Sequence, residues 1–224
     1  MGRMGRRRVL IYGTGQTGNM VASILELHDG LDIVGFVDDD ESQWGESLRD
    51  YPVLGGREFA KAGNGFDAIA VAIGQVGPRR AVATWVQDQG IPQQAAVHPS
   101  ALIPRDSTIG EGTIIGAGTT LYVNPKIGRN VFVGPSVVIS HDSVVGDFAL
   151  LSVGSVIGAR VDISPGAFVG AGATVMPPGW GAESRLSVGD DAIIGVGSVV
   201  IRDVEPRSIV VGVPAKLLRY REEA

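Results

Sequence analysis

Three histidines occur in the 224 residues, at positions 28, 98 and 141, and there is no cysteine. Thiolate nucleophiles, disulfides and cysteine-ligated zinc are therefore excluded. His28 closes an apolar stretch with helical spacing and His98 directly precedes Pro99, so both read as structural. His141 stands differently: it lies two residues beyond Ile139, at a corner of a repeating pattern, and is followed by Asp142. A neutral imidazole, with a reference pKa of about 6.5, accepts a proton near neutral pH, and an adjoining carboxylate can fix its tautomer and support the positive charge that develops. The second chemical candidate is Gly13-Thr14-Gly15-Gln16-Thr17-Gly18, a G-x-G-x-x-G run between a strand-like and a helix-like segment, with Asp38 twenty residues beyond Gly18. Glycines there let the backbone approach a phosphate, and the helix N-terminus favours its charge. Asp38 and Asp39 would accept hydrogen bonds from a base or ribose, and Gly74 would floor the pocket.

Two textures must position these groups. Up to residue 95 the sequence alternates strand and helix patterns. Arg8–Tyr12 is a short apolar run suited to a buried parallel strand, and Thr17–His28 carries Met20, Val21, Ile24, Leu25 and Leu27 at helical spacing. Asp32–Val37 and Ala68–Ile73 read as further strands, and Pro78 opens a helix with Ala81, Val82, Trp85 and Val86 on one face. Strand–helix–strand order implies a parallel sheet with right-handed crossovers, a small Rossmann-like α/β unit over 1–95.

From Val97 an aliphatic residue recurs every sixth position: Val97, Ile103, Ile109, Ile115, Leu121, Ile127, Val133, Ile139, Val145, Leu151, Ile157, Ile163, Val169 and Val175, resuming at Val188, Ile194 and Val200. Neither a helix nor a flat strand repeats every six residues. A strand-and-corner unit does, if three units close one triangular coil of about 18 residues. The aliphatic side chain then points inward, and four residues later a small one (Thr113, Thr119, Ser143, Ala149, Ser155, Ala167, Ala173, Ser198) fits the corner. Glycine often follows the aliphatic residue, as at Gly110, Gly128, Gly134 and Gly170, where it is expected to relieve unusual backbone torsion. The expectation is an all-β parallel β-helix over 96–205, with 206–224 as a C-terminal cap in which Leu217 and Leu218 lie on the last coil. Between Val175 and Val188 seven extra residues must loop out (176–187), a segment that either covers a ligand or is an inert insertion.

Composition sets limits. The net charge of −5 argues against a nucleic-acid footprint, and no apolar run approaches the ~18 residues of a membrane span. The Arg-rich start leads into an apolar run too short for a signal peptide, so a cytoplasmic location is expected by default. A metal enzyme on this coil needs about three histidine ligands, and the repeats hold only His141.

The repeats, with Gly212-Val213-Pro214-Ala215-Lys216 near the end, resemble the hexapeptide-repeat acyltransferases. The Gly13–Gly18 loop, Phe36-Val37-Asp38-Asp39, Pro52-Val53-Leu54-Gly55, Ala72-Ile73-Gly74, His98-Pro99-Ser100-Ala101 and His141-Asp142 narrow this to the bacterial sugar acyltransferases. That branch includes N-acetyltransferases of nucleotide-linked 4-amino sugars and sialic acid O-acetyltransferases. The likeness spans about residues 8 to 219. It implies a left-handed helix and a homotrimer with sites between subunits. It also implies acetyl-CoA as co-substrate without a metal, and a place in polysaccharide biosynthesis.

On that resemblance His141 is the general base and Asp142 its orienting partner. Residue 159 lies one coil beyond His141, so the Ala159 N–H, after Gly158, would donate to the thioester oxygen. Gly170-Ala171 and Gly195-Val196 would line the same face for the pantetheine arm of CoA. Two departures touch the acetyl or amine end of the site: Leu150 stands where relatives carry a second histidine, and Gly134 where they carry Asn. The glycine-rich loop alone would suit NAD, but about three strands leave half of a dinucleotide site missing. One mononucleotide half, with Gly13, Gly15, Gly18, Asp38, Asp39 and Gly74, is what a UDP-, dTDP- or GDP-linked amino-deoxysugar requires. The leading expectation is acetyl transfer to the sugar's amino group. O-acetylation of a sugar hydroxyl and a non-catalytic nucleotide-sugar or CoA-binding role are the alternatives.

Overall fold

The computed structural model describes residues 5–63, 65–177, 179 and 185–222, and the chain divides into two compact units, Met1–Pro99 and Ser100–Ala224. In the first, β1 (Arg7–Tyr12) is followed by α1 (Gln16–Leu25), β2 (Leu31–Val37), β3 (Ser47–Leu48), β4 (Tyr51–Pro52), α2 (Arg57–Lys61), β5 (Ala68–Val71) and α3 (Val76–Asp88). The parallel sheet has the order β2-β1-β5, so β1 is central. Val9, Leu10, Ile11 and Tyr12 are all buried, as a central strand covered on both faces requires. Helix α3 begins two residues before the expected start, and Pro78 sits in its first turn, where a missing N–H costs nothing. The β3–β4 hairpin, which the sequence reading missed, turns on Arg49 and Asp50 with φ of 52° and 66°. Beyond it the Leu54 N–H donates to the Phe36 carbonyl and the Asp38 N–H to the Gly55 carbonyl, which fixes the end of β2.

The second unit stacks short parallel strands into three sheets. The first holds Thr108–Ile109, Lys126–Ile127, Val144–Val145, Val161–Ile163 and Leu186–Val188. The second holds Ile114–Ile115, Phe132–Val133, Leu150–Leu151, Phe168–Val169 and Ile193–Ile194. The third holds Thr120–Leu121, Val138–Ile139, Val156–Ile157, Thr174–Val175 and Val199–Val200. Each strand pairs in parallel with one a full coil away, so Ile139 lies between Leu121 and Ile157. The inward positions from Ile115 to Val200 are at most 3% exposed and form one continuous aliphatic column. The pairing of Ile163 with Val188 steps over seven extra residues. Of the expected loop at 176–187, residues 178 and 180–184, including Trp180 and Gly181, lie outside the described residues.

Two expectations about the coil need correction. Glycines directly after the inward residue do not have positive φ. They lack a side chain because the next coil is too close: a Cβ on Gly170 would lie 2.6 Å from the Val196 nitrogen, and one on Gly134 2.8 Å from the Val153 nitrogen. The left-handed backbone falls two residues later, and at three corners Asn124, Asp142 and Arg160 adopt it with φ of 56°, 56° and 55°. The second correction concerns the cap. Ser208–Gly212 and Ala215–Tyr220 form an antiparallel hairpin, and its first strand extends the second sheet by pairing with Ile193–Ile194. Leu217 and Leu218 are 53% and 61% exposed, because this outer hairpin strand has no coil beneath it.

The buried small residues tie coils together. Thr113 Oγ1 donates to the Gly128 carbonyl at 2.8 Å and accepts from the Val131 N–H at 3.1 Å. Ser143 Oγ makes the equivalent pair with the Gly158 carbonyl and the Val161 N–H, at 2.8 Å and 3.2 Å. Among the described residues no helix is long and apolar enough to cross a membrane. Because Ile157 is fully buried mid-stack, Ile157→Ala is expected to destabilise the protein by about 2–5 kcal/mol and Ile157→Val by about 0.5–1.5 kcal/mol. Thermal unfolding at fixed protein concentration measures both, and equal midpoints for the two variants would contradict the column.

Candidate active site

His141 sits on the edge that joins the third sheet to the first. The corner backbone is held from both sides: the Asp142 N–H donates to the Val123 carbonyl at 3.1 Å, and the Arg160 N–H to the His141 carbonyl at 3.0 Å. The left-handed conformation at position 142 suits Asp, one of the few side chains that tolerates it. His141 Nδ1 lies 2.9 Å from Asp142 Oδ2. An ionised carboxylate only accepts, so Nδ1 carries the proton and Nε2 is left as the basic nitrogen. The other Asp142 oxygen accepts from Asn124 Nδ2 at 3.1 Å, one coil below. The hydrogen bond to His141 and then that to Asn124 hold the Asp142 carboxyl below the usual range. Asn124 was not singled out from the sequence, although its place 18 residues before Asp142 is the signal that stacks the two.

One coil further, Gly158 and Ala159 stack on the same edge as His141. Among the described residues the Ala159 N–H has no backbone carbonyl as acceptor. Gly170-Ala171 and Gly195-Val196 are elsewhere, contrary to the single face expected. They belong to the edge joining the second sheet to the third, in register with Gly134 and Ser152, as the pairing of Phe168 with Leu150 and Ile193 fixes. A triangular coil has three corners, so only positions a whole coil apart share an edge, and 170 is not one of them. Leu150 lies between Phe132 and Phe168 in the second sheet, half-buried.

The glycine-rich loop opens on a cleft of about 510 Å³ in the N-terminal unit, lined among others by Gly13, Gly15, Asp38, Asp39 and Gly74. Gly18 is not at its surface. A Cβ there would lie 2.1 Å from the Gly13 carbonyl oxygen, so Gly18 permits α1 to pack on the loop. Asp38 is turned to the loop as well: Oδ2 accepts from the Thr14 N–H at 2.8 Å and from Thr14 Oγ1 at 2.7 Å, and Oδ1 from the Asp40 N–H at 3.0 Å. Asp39 accepts from Tyr12 Oη at 2.5 Å and pairs with Arg57 at 3.0 Å. The Arg57 guanidinium lies 5.4 Å from the Trp85 ring centroid. Burial, and then the bond to Asp39, pushes the Tyr12 phenol up, and Asp39 in turn raises Arg57. Tyr12, Arg57 and Trp85 come from β1, α2 and α3, and no spacing rule joins them in the sequence. His28 is structural, with Nε2 2.8 Å from the Val97 carbonyl.

The lowered Asp142 value has a pH consequence. A carboxylate whose folded pKa is depressed contributes stability that is present above its unfolded value of about 3.9 and lost as the pH falls through the folded one. A ¹³C titration of the Asp142 carboxyl should show a midpoint below that reference, and Asn124→Ala should move it upward. An unmoved midpoint would remove Asn124 from the arrangement.

Residues 8–86 match the PglD N-terminal domain. Among solved structures, PerB from Caulobacter crescentus, in complex with CoA and GDP-perosamine, is 29% identical with a TM-score of 0.84, covering 96% of this chain and 97% of its own. WeeI from Acinetobacter baumannii is 25% identical with a TM-score of 0.81, covering 95% of this chain and 100% of its own. The acetyltransferase domain of PglB from Neisseria gonorrhoeae, in complex with acetyl coenzyme A, is 24% identical with a TM-score of 0.84, covering 96% and 100%, and shows the shared fold. No curated protein sequence matches the chain. The Rossmann-like front unit, the three-sheet coil and the full-length likeness to PerB agree with the resemblance to the hexapeptide-repeat sugar acyltransferases, and the coil is a left-handed β-helix.

Proposed function

We propose that the protein transfers the acetyl group of acetyl-CoA to the amino group of a nucleotide-linked amino-deoxysugar. The observation that carries this reading is the Asn124–Asp142–His141 chain, which holds the imidazole by Nδ1 and leaves Nε2 turned to a solvent-facing corner. As the amine attacks the thioester carbon, Nε2 takes its proton. The C–S bond breaks, the CoA sulfur leaves as thiolate, and the imidazolium returns the proton to it. Asp142 holds the imidazolium while the charge exists. The Ala159 N–H is the donor proposed for the thioester oxygen, which gains negative charge in the tetrahedral intermediate.

The placement of Gly170-Ala171 and Gly195-Val196 on another edge bears on assembly. Two edges of one prism do not share a groove. If those residues hold the pantetheine arm, His141 meets it on a neighbouring copy, which supports the homotrimer with intersubunit sites. The likeness to PerB, crystallised with CoA and GDP-perosamine, supports the acceptor class, and the glycine-lined cleft supports a nucleotide-linked one. The nucleotide is the finer point: UDP, dTDP and GDP carriers all present a diphosphate to the same loop.

A thiol-release assay with acetyl-CoA across UDP-, dTDP- and GDP-linked amino sugars, with matched hydroxyl acceptors, tests the reaction. Turnover with an amine and none with its hydroxyl counterpart is expected; the reverse would make the enzyme an O-acetyltransferase. His141→Ala should lower kcat by about 10²–10⁴-fold while acetyl-CoA binding persists. Undiminished turnover in that variant would remove the base from the mechanism.

A further inference from the structure

The least expected buried side chain in the N-terminal unit is Arg79, whose relative exposure is 0%. It belongs to the first turns of α3, which runs over Val76–Asp88. Burial, and after it repulsion from Arg80, pushes its guanidinium down to about 10, so the charge persists at neutral pH. A buried cation is tolerated only when it is well satisfied. Here Nη1 donates to the Ile73 carbonyl at 3.1 Å and to the Gly74 carbonyl at 2.5 Å.

Those two carbonyls belong to successive peptides, and both are trans, since among the described residues the cis bond is Val213–Pro214. In a trans peptide the N–H points opposite to the C=O. Drawing both carbonyls toward Arg79 therefore turns the N–H groups of Gly74 and Gln75 away from it. Gly74 and Gln75 line the cleft, and Arg79 does not. Among the described residues neither N–H donates to a backbone carbonyl. Successive N–H groups turned to one side form an anion-binding concavity, and a fixed positive charge behind the carbonyls polarises both peptides in the same sense. The glycine-rich loop adjoins this turn: a Cβ on Gly74 would lie 3.0 Å from Thr17 Oγ1.

We infer that Arg79 is a positioning residue that holds the Gly74 and Gln75 N–H groups as donors to the diphosphate of a nucleotide-linked ligand. The inference rests on the functional reading of the cleft given above and adds the part of the ligand that this wall recognises. It also separates the work of the two walls. The loop from Gly13 to Gly18 offers the first turn of α1, and the Arg79-backed turn offers a second set of donors beside it, suited to two linked phosphates rather than one.

A merely structural arginine would weaken every ligand of the cleft alike, whereas a diphosphate-positioning one weakens only ligands that carry the diphosphate. Ligand-observed NMR titrations of the full chain with guanosine, uridine and thymidine, and with GDP, UDP and dTDP, make that comparison. For the diphosphate that the wild-type protein prefers, Arg79→Gln should lower affinity by about 10–100-fold, the range for losing charge-assisted hydrogen bonds. The matching nucleoside should change by no more than about twofold on that view, and Arg79→Lys, which keeps a buried donor and charge, should recover part of the loss. Acetyl-CoA binding by the same samples reports that the β-helix is intact. Should Arg79→Gln not fold, the comparison is made between wild type and Arg79→Lys, with a smaller selective loss of the diphosphate expected. Equal losses for nucleoside and diphosphate, or no loss for either, would overturn the inference. A wild-type protein that binds none of the three diphosphates would instead overturn the nucleotide reading of the cleft.

Discussion

The distance between neighbouring coils governs this molecule. Parallel strands pair about 4.8 Å apart, and every coil must repeat the backbone of the one before it at that spacing. Side chains are sorted by what the spacing leaves room for. The inward position takes Ile, Val or Leu, which stack on their own kind. The next position tolerates no Cβ where the following coil crosses it, as at Gly134 and Gly170. Two residues on, the chain turns through the left-handed region, and one residue later a buried hydroxyl or methyl closes the corner, as Ser143 does against Gly158 and Val161. Each preference serves the same stacking, which is why the chain can repeat it so many times without a change of register until the seven-residue insertion.

The same constraint makes a corner a good place for a base. The position before the left-handed residue points outward, and the peptide that joins the two is bonded to the coils on both sides, so His141 has a fixed root and an exposed ring. The left-handed position itself favours Asp or Asn. Asp142 meets the backbone requirement and orients the imidazole at once, and Asn124 meets it one coil earlier and holds the carboxylate. No strain is needed to explain the arrangement. The proposed chemistry occupies residue types that the turn already prefers.

Legibility in the sequence follows from how local each requirement is. The six-residue period gave the coil, its three sheets and the inward column, because every repeat states the same rule. It did not by itself assign positions to corners: Gly170 and Gly195 carry the same glycine signal as Gly158, yet only multiples of a full coil share an edge with His141. The period also misled on the reason for glycine, since close approach and unusual torsion both demand it and only coordinates separate them. The placement of Leu217 and Leu218 on the last coil failed for a different cause. Leu217 and Leu218 look like core residues by composition, but an antiparallel return strand has no further coil to cover it. In the front unit the glycine loop and the aspartates were readable as a motif, while Tyr12, Arg57 and Trp85 meet only through the tertiary fold.

That tertiary meeting resolves an electrostatic difficulty. The chain carries a net charge of −5, and its cleft displays Asp38 and Asp39 beside the loop expected to hold phosphate. Two free carboxylates there would repel a diphosphate. Neither stands free: Asp38 accepts from the Thr14 backbone and hydroxyl, and Asp39 is paired with Arg57 and bonded to Tyr12. The acidic residues thus shape the loop and anchor a cation, and backbone amides are among the donors left for an anion. Amides bring partial positive charge without the desolvation cost of a further lysine or arginine in the cleft beside Arg57. An acidic protein can in this way keep a phosphate-sized site while its surface charge stays negative, provided something behind the amides fixes their direction. In the loop that role falls to the N-terminal turn of α1, and at the end of β5 the buried Arg79 is placed to supply it.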